Sequence, residues 1–238
     1  MLKSSPERLA YWLLKTINPA IREWNMIADG DRVAVAVSGG KDSLSLLRLL
    51  DLRRAAVPER YELAALHVPG DANGPAAAAH APLLEWLAAR GYETIIAPFN
   101  LTEGEALPID CPRCTRLRRK ALFEAAHSAG CRVVAFGHHA DDLAQTTLLN
   151  LLYHGRAETM PPVRDYFDGA VRLIRPLCFT REKDIRRFAR ACDFPPPPPA
   201  CPLGDRTRRQ LARDLLAQAE EQARDAVKNL CKAGLGEG

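Results

Sequence analysis

Residues Arg32 to Val37 read Arg-Val-Ala-Val-Ala-Val, and the next six are Ser38-Gly39-Gly40-Lys41-Asp42-Ser43. A run of β-branched residues and alanine suits a short buried strand. Two glycines then allow a tight turn, and Leu44, Leu46, Leu47, Leu49 and Leu50 supply apolar surface for a helix reaching about Arg54. A strand, a glycine turn and a helix start gather backbone N–H groups around one point, where they favour negative charge. This unit predicts a phosphate site inside an α/β fold. Lys41 can bring a cation to the phosphate, and Asp42 can place a divalent ion or simply cap the helix. The alternative is a glycine turn in a nucleotide-free fold of the same type. The spacing matches neither the dinucleotide fingerprint nor the longer Walker loop.

The strand–helix alternation continues along the chain. Strands are predicted at Tyr61 to Val68, Tyr92 to Pro98, Cys131 to Phe136 and Val171 to Ile174. Helices are predicted at Ala76 to Arg90, Pro112 to about His127, Asp141 to Tyr153, and from Thr180 to about Cys192. The pattern implies an α/β fold: an open, mostly parallel sheet with helices on both faces and a ligand crevice at the carboxyl ends of the strands. Five prolines, Pro195 to Pro199, cannot continue a helix. As polyproline II they form an arm of roughly 15 Å. A last amphipathic helix is expected from Arg206 to Leu230. The expected organisation is an N-terminal helical segment (1–30), a main domain (31–194), and a proline arm with its C-terminal helix (195–238) packed on that domain. With 238 residues and 47% hydrophobic content, one substantial core is within reach.

Three further features carry chemistry. Gly137-His138-His139-Ala140-Asp141-Asp142 follows the fourth strand and is suited to metal binding, proton transfer or nucleotide contacts, or else to ordinary helix capping. Cys111-Pro112-Arg113-Cys114 brings two thiols to one helix start, where the helix and Arg113, Arg116, Arg118 and Arg119 favour thiolates. A redox pair, half of a zinc site and two unconnected thiols all fit that spacing. Seven cysteines, an odd number, match a secreted disulfide scaffold poorly. The net charge is only +4, but arginines cluster after Cys114, from Arg172 to Arg190, and at Arg206, Arg208 and Arg209. They can hold RNA phosphates or form a solvated helix face. Few aromatics and no dense aromatic motif argue against a dedicated base-reading module. Charges interrupt every apolar run, so neither a membrane span nor a secretory leader is expected, and the cytoplasm is the expected location.

Ser38 to Ser43 resembles the PP-loop of the N-type ATP pyrophosphatases. Taken with Cys111-Pro112-Arg113-Cys114, Gly137 to Asp142, Met160-Pro161-Pro162 and Ile174-Arg175-Pro176-Leu177, the chain from about Asn18 to Leu230 resembles the tRNA 2-thiocytidine synthetase family, TtcA. The resemblance implies the adenine nucleotide alpha-hydrolase-like (HUP/PP-loop) fold and ATP with Mg²⁺. Ser38, Gly39, Gly40, Lys41, Asp42, Ser43, His67, Gly137 and Asp142 are its expected nucleotide-binding residues. Lys41, Asp42, His139, Asp141 and Asp142 are its expected catalytic residues. Cys111, Cys114 and Cys201 are its expected ligands to a [4Fe–4S] cluster, with one iron left open for sulfur. The implied reaction is thiolation of a tRNA base, cytidine to 2-thiocytidine, through an adenylated intermediate. The implied partners are tRNA and a sulfur donor such as sulfide or a persulfide-carrying cysteine desulfurase, acting on a homodimer. The chain departs from the family at Gln145, where glutamate is usual, around Cys201, where a second nearby cysteine is absent, and at His67-Val68-Pro69. Two other readings use the same residues: iron–sulfur-dependent desulfidation of a thiobase, and a zinc-containing, nucleotide-regulated RNA-binding protein.

Overall fold

A computed structural model describes residues 5–70, 80–101, 104–199 and 208–236. Its sheet has the order β3-β2-β1-β4-β6-β5. The strands are β1 (Arg32–Ala36), β2 (Glu62–His67), β3 (Glu93–Ile96), β4 (Val133–Ala135), β5 (Val163–Tyr166) and β6 (Val171–Ile174). All neighbours pair in parallel except β5, which runs antiparallel to β6. From β1 the chain first winds outward through β2 to β3, then returns to place β4 on the other side of β1. The junction of β1 and β4 is therefore the topological switch point, where an open α/β sheet leaves a crevice at its carboxyl edge.

Alternation within β1 distributes the core. Val33 and Val35 face a large cluster with α1 (Pro6–Glu23), α2 (Lys41–Arg54), α5 (Ala140–His154) and α6 (Glu182–Ala191), whereas Ala34 faces a smaller cluster covered by α4 (Cys111–Ser128). The leucines predicted to start α2 are all essentially inaccessible, because that helix lies between the sheet and both α1 and α6. A helix enclosed in this way is apolar on several sides rather than along one stripe. α3 (Ala81–Ala89) completes the helical elements before α4; the predicted start of α3 at Ala76 lies outside the described residues.

The structure differs from expectation at two places. The single C-terminal helix is two, α7 (Arg208–Gln222) and α8 (Ala226–Leu235), and Arg206 lies outside the described residues. A straight helix over the predicted 25 residues would run about 38 Å. The break near Asp225 instead lets both Ala212/Leu216 and Val227/Cys231 bury against α5. The second difference is β5, a short edge strand whose charged Arg164 and Asp165 conceal its alternation. Its turn into β6 places Phe167 and Asp168 at φ 53° before Gly169 at φ 86°. Asp168-Gly169 is a hairpin signal that marks this strand pair in the sequence.

Candidate active site

The loop after β1 is held in shape by its own hydroxyls. Ser43 Oγ donates to the Gly40 carbonyl at 2.9 Å and accepts from the Ser38 N–H at 3.2 Å, while Gly40 N–H donates to Ser38 Oγ at 3.3 Å. Gly39 has φ +84°, a conformation that favours glycine. Gly40 is the N-cap of α2, so its neighbours present the unpaired N–H groups of a helix start. The loop after β4 comes against this turn. A Cβ on Gly137 would lie 3.1 Å from both the Asp42 carbonyl carbon and the Ser43 nitrogen, a backbone approach that leaves little room for a side chain.

Between the two loops lies a cleft of about 510 Å³ whose lining includes Ser38, Asp42, Ser43, Gly137, His138 and Asp142, with Arg118, Leu122, Phe136 and Arg209 also in its wall. Its acidic end contains an orphan: Asp42 Oδ1 is buried with no hydrogen-bond partner. His139 Nε2 lies 3.9 Å from that oxygen and 3.5 Å from Asp142 Oδ2. Asp142 Oδ2 is oriented by the His139 N–H at 3.0 Å. Asp42 and Asp142 thus face Nε2 of one buried imidazole at the edge of the phosphate loop, and Asp141 Oδ2 lies 3.8 Å from its Nδ1. No group of three or more His, Cys, Asp or Glu among the described residues is arranged to hold a metal by itself. Mg²⁺ needs only one or two carboxylates when phosphate oxygens and water supply the rest, so Asp42 and Asp142 fit a metal that arrives with a nucleotide. His138 is neutral: burial, then Arg175 and Arg209, hold its pKa down at about 3.

Other predicted residues take different places. Lys41 is not in the cleft wall; its Nζ lies 2.9 Å from both Asp42 Oδ2 and Glu182 Oε1. Burial opposes its charge, but Glu182 and Asp42 outweigh burial and raise its pKa. Asp141 is engaged with α6: Arg181 Nη2 donates to Oδ1 at 3.0 Å, and the Glu182 N–H donates to Oδ2 at 2.7 Å. In this arrangement it fixes α6 against α5. His67 is buried with Nδ1 2.8 Å from the Val37 carbonyl oxygen, and burial lowers its pKa; its neighbours Leu66 and Val68 reach the cleft instead.

Cys111 and Cys114 occupy the first turn of α4, which Asp110 caps by accepting from the Arg113 N–H at 2.6 Å. Cys111 is exposed, Cys114 is half-buried, and neither is in a disulfide. Cys111, Cys114, Arg118 and Leu122 share one side of the helix by their spacing, and the last two line the cleft. From Cys111 to Arg118 the helix rises about 10 Å. Two thiols at a helix start, one of them open to solvent, fit part of a cluster-ligand set. Cys201 lies outside the described residues.

No sequence pattern places Arg118 and Arg209 in the nucleotide cleft or brings the proline arm to the phosphate loop. His80 Nε2 is 2.8 Å from the Pro196 carbonyl oxygen, and a Cβ on Gly39 would meet Pro198 Cδ at 2.8 Å. The arm therefore runs across the phosphate loop. Phe194, at its start, is anchored edge-on to Trp86 with centroids 5.5 Å apart. Only the run of five prolines hinted at a segment stiff enough to hold such a course.

Comparison with known proteins agrees with this geometry. A family model described as a PP-loop domain matches residues 10–195. The tRNA-cytidine(32) 2-sulfurtransferase of Anaeromyxobacter sp. (strain Fw109-5) is 36% identical over 232 residues, covering 93% of this chain and 74% of the relative. That of Shigella dysenteriae serotype 1 is 37% identical over 228 residues, covering 93% and 72%. The U34-tRNA thiolase NcsA from Methanococcus maripaludis, solved with its [4Fe–4S] cluster, shares the fold with a TM-score of 0.73 at 22% identity, covering 94% of this chain and 78% of its own. The phosphate loop at the switch point and the similarity along nearly the whole chain agree: this protein belongs to the PP-loop superfamily and, within it, to the tRNA 2-sulfurtransferase family typified by the tRNA-cytidine(32) enzymes.

Proposed function

We propose that the chain is an ATP-dependent tRNA sulfurtransferase converting a cytidine to 2-thiocytidine. The observation that carries this reading is the single side of α4, which joins the Cys111/Cys114 turn to the wall of the phosphate cleft. Activation and sulfur delivery need to reach the same carbon, and one rigid helix keeps the two within about 10 Å along its axis.

The C2 oxygen of the base attacks the α-phosphorus of ATP, pyrophosphate leaves, and the base is adenylated at that oxygen. A sulfur nucleophile then adds at C2 and AMP departs with the oxygen. The N–H groups at the start of α2 and the Ser38 and Ser43 hydroxyls receive phosphate charge. Asp42 and Asp142 would hold a Mg²⁺ that arrives with the nucleotide, and the orphaned Asp42 oxygen is free to serve it. Neutral His138 shapes the wall without adding charge. Cys111, Cys114 and Cys201 would hold the cluster. When bound, the cluster supplies an iron able to present sulfide. The working unit in this reading is a cytoplasmic homodimer fed by sulfide or by a cysteine desulfurase.

The test is anaerobic incubation of cluster-reconstituted protein with unmodified tRNA, Mg-ATP and sulfide, followed by nucleoside mass spectrometry and assays of AMP and pyrophosphate. An ATP-dependent 2-thiocytidine peak, matched by AMP, is the expected result. Thiolation without AMP release, or sulfur removal from thiolated tRNA without ATP, would overturn it.

A further inference from the structure

The C-terminal turn of α5 is unusually exposed for an apolar stretch. Leu151, Leu152 and Tyr153 are 40%, 55% and 44% accessible, and Leu211 on α7 is 47% accessible. Arg208, one turn before Leu211, places its guanidinium carbon 4.4 Å from the centroid of the Tyr153 ring. The adjacent Arg209 reaches the phosphate cleft. Two consecutive arginines at the start of α7 thus address two sites, an exposed aromatic ring and the nucleotide cleft.

We infer that Tyr153, Leu152 and Arg208 form a docking platform for RNA nucleotides flanking the base that enters the cleft. This rests on the tRNA reading above and goes beyond it by naming a surface. Three observations favour RNA as the occupant. An accessible tyrosine with a guanidinium over it pairs a stacking surface for a base with a cation for its phosphate. Local charge suits a polyanion: residues 208–213 contain three arginines and no acid, and Arg156 follows Tyr153 with Glu158 as the one acid between 150 and 158. A second copy of this chain would bring the same arginines face to face across a two-fold axis, which repels. The third is separation. From Asp142 at the cleft to Tyr153, α5 rises about 16 Å, the reach of a short RNA segment and too far for the nucleotide of the cleft to occupy both places.

The experiment uses full-length, cluster-reconstituted protein and an unmodified tRNA transcript, with affinity measured over a salt series. Tyr153→Ala should weaken tRNA binding by roughly 5- to 150-fold, the range for losing one stacked base, and leave the salt dependence unchanged. Arg208→Ala should weaken binding and lower the salt slope by about one phosphate contact. Tyr153→Trp should retain affinity, and Mg-ATP affinity should be unchanged in all three. tRNA affinity indifferent to both alanine substitutions would overturn the platform alone. A change in oligomeric state of Tyr153→Ala, read by light scattering, would assign the patch to an interface between copies and overturn it too. Failure of the wild-type protein to bind tRNA would remove the thiolation reading and the platform together.

Discussion

The phosphate cleft and the cysteine turn sit on the same side of α4 but are built in opposite ways. The cleft is a product of short-range order: six consecutive residues make the loop, its serines bond to one another, and a second loop after the neighbouring strand closes against it through Gly137. The cysteine turn has only a local start. Two thiols share one helical turn, and the third expected ligand, Cys201, is 87 positions further along the sequence than Cys114. The cleft should therefore keep its shape when a single contact is lost, whereas a cluster site assembled from distant segments should fail outright.

Cys111→Ala and Cys114→Ala test this most sharply. Each should eliminate bound cluster, measured as iron content and visible absorbance, while Mg-ATP affinity stays within about twofold. Joint loss of ATP binding would mean that the two regions are one cooperative unit. Asp42→Asn should come next. If Asp42 holds the metal as proposed, losing one charged oxygen there is expected to slow pyrophosphate release about 10²-fold, the scale for removal of a single preorganised group, with a raised Mg²⁺ requirement in a titration. Gly137→Ala should destabilise the fold by about 1–3 kcal/mol through overpacking against the Asp42–Ser43 backbone, read by denaturant melting, and should reduce ATP affinity more than cluster content.

The smallest effects are in pH dependence. With its folded pKa near 3, below the ordinary histidine value, His138 stays neutral while the unfolded chain takes up a proton. Its contribution therefore makes stability fall as pH drops from about 6.5 toward 3. His138→Asn should flatten that part of the profile. Glu182 works in a lower window. Burial pushes its pKa up, but Lys41 and Arg186 outweigh burial and hold it at about 2. The stabilisation by this ion pair is complete above the ordinary carboxylate range and is lost as pH falls toward 2. Glu182→Gln should remove that acid-limb contribution in thermal melts while leaving cluster content unchanged.

Much of this molecule is legible from residue patterns, and the exceptions have a common cause. Strand β1, the glycine turn and α2 could be read because their signals are contiguous. The open parallel sheet followed from the alternation of strands with helices and the cysteine turn from its spacing, whereas the strand order that puts the switch point between β1 and β4 came from the tertiary structure. β5 escaped because it is a short edge strand whose two central residues, Arg164 and Asp165, are both charged and exposed, and the split between α7 and α8 because one amphipathic period is compatible with one helix or two. At the site, residue type marks Lys41 and Asp141 as polar groups beside the phosphate loop, and the structure adds that Lys41 pairs with Glu182 and Asp141 with Arg181. Those partners lie 141 and 40 positions along the chain, and no local pattern encodes them.

The sequence by itself determined that this chain builds an α/β sheet with a phosphate loop at a helix start, because backbone turns and helix ends are set by neighbouring residues. Tertiary structure alone decided which side chains close the cleft, that a proline arm crosses the loop, and that one side of α4 links two cysteines to the phosphate wall. Such relations depend on how separately specified elements pack, and side chains distant along the chain meet only once the core has formed.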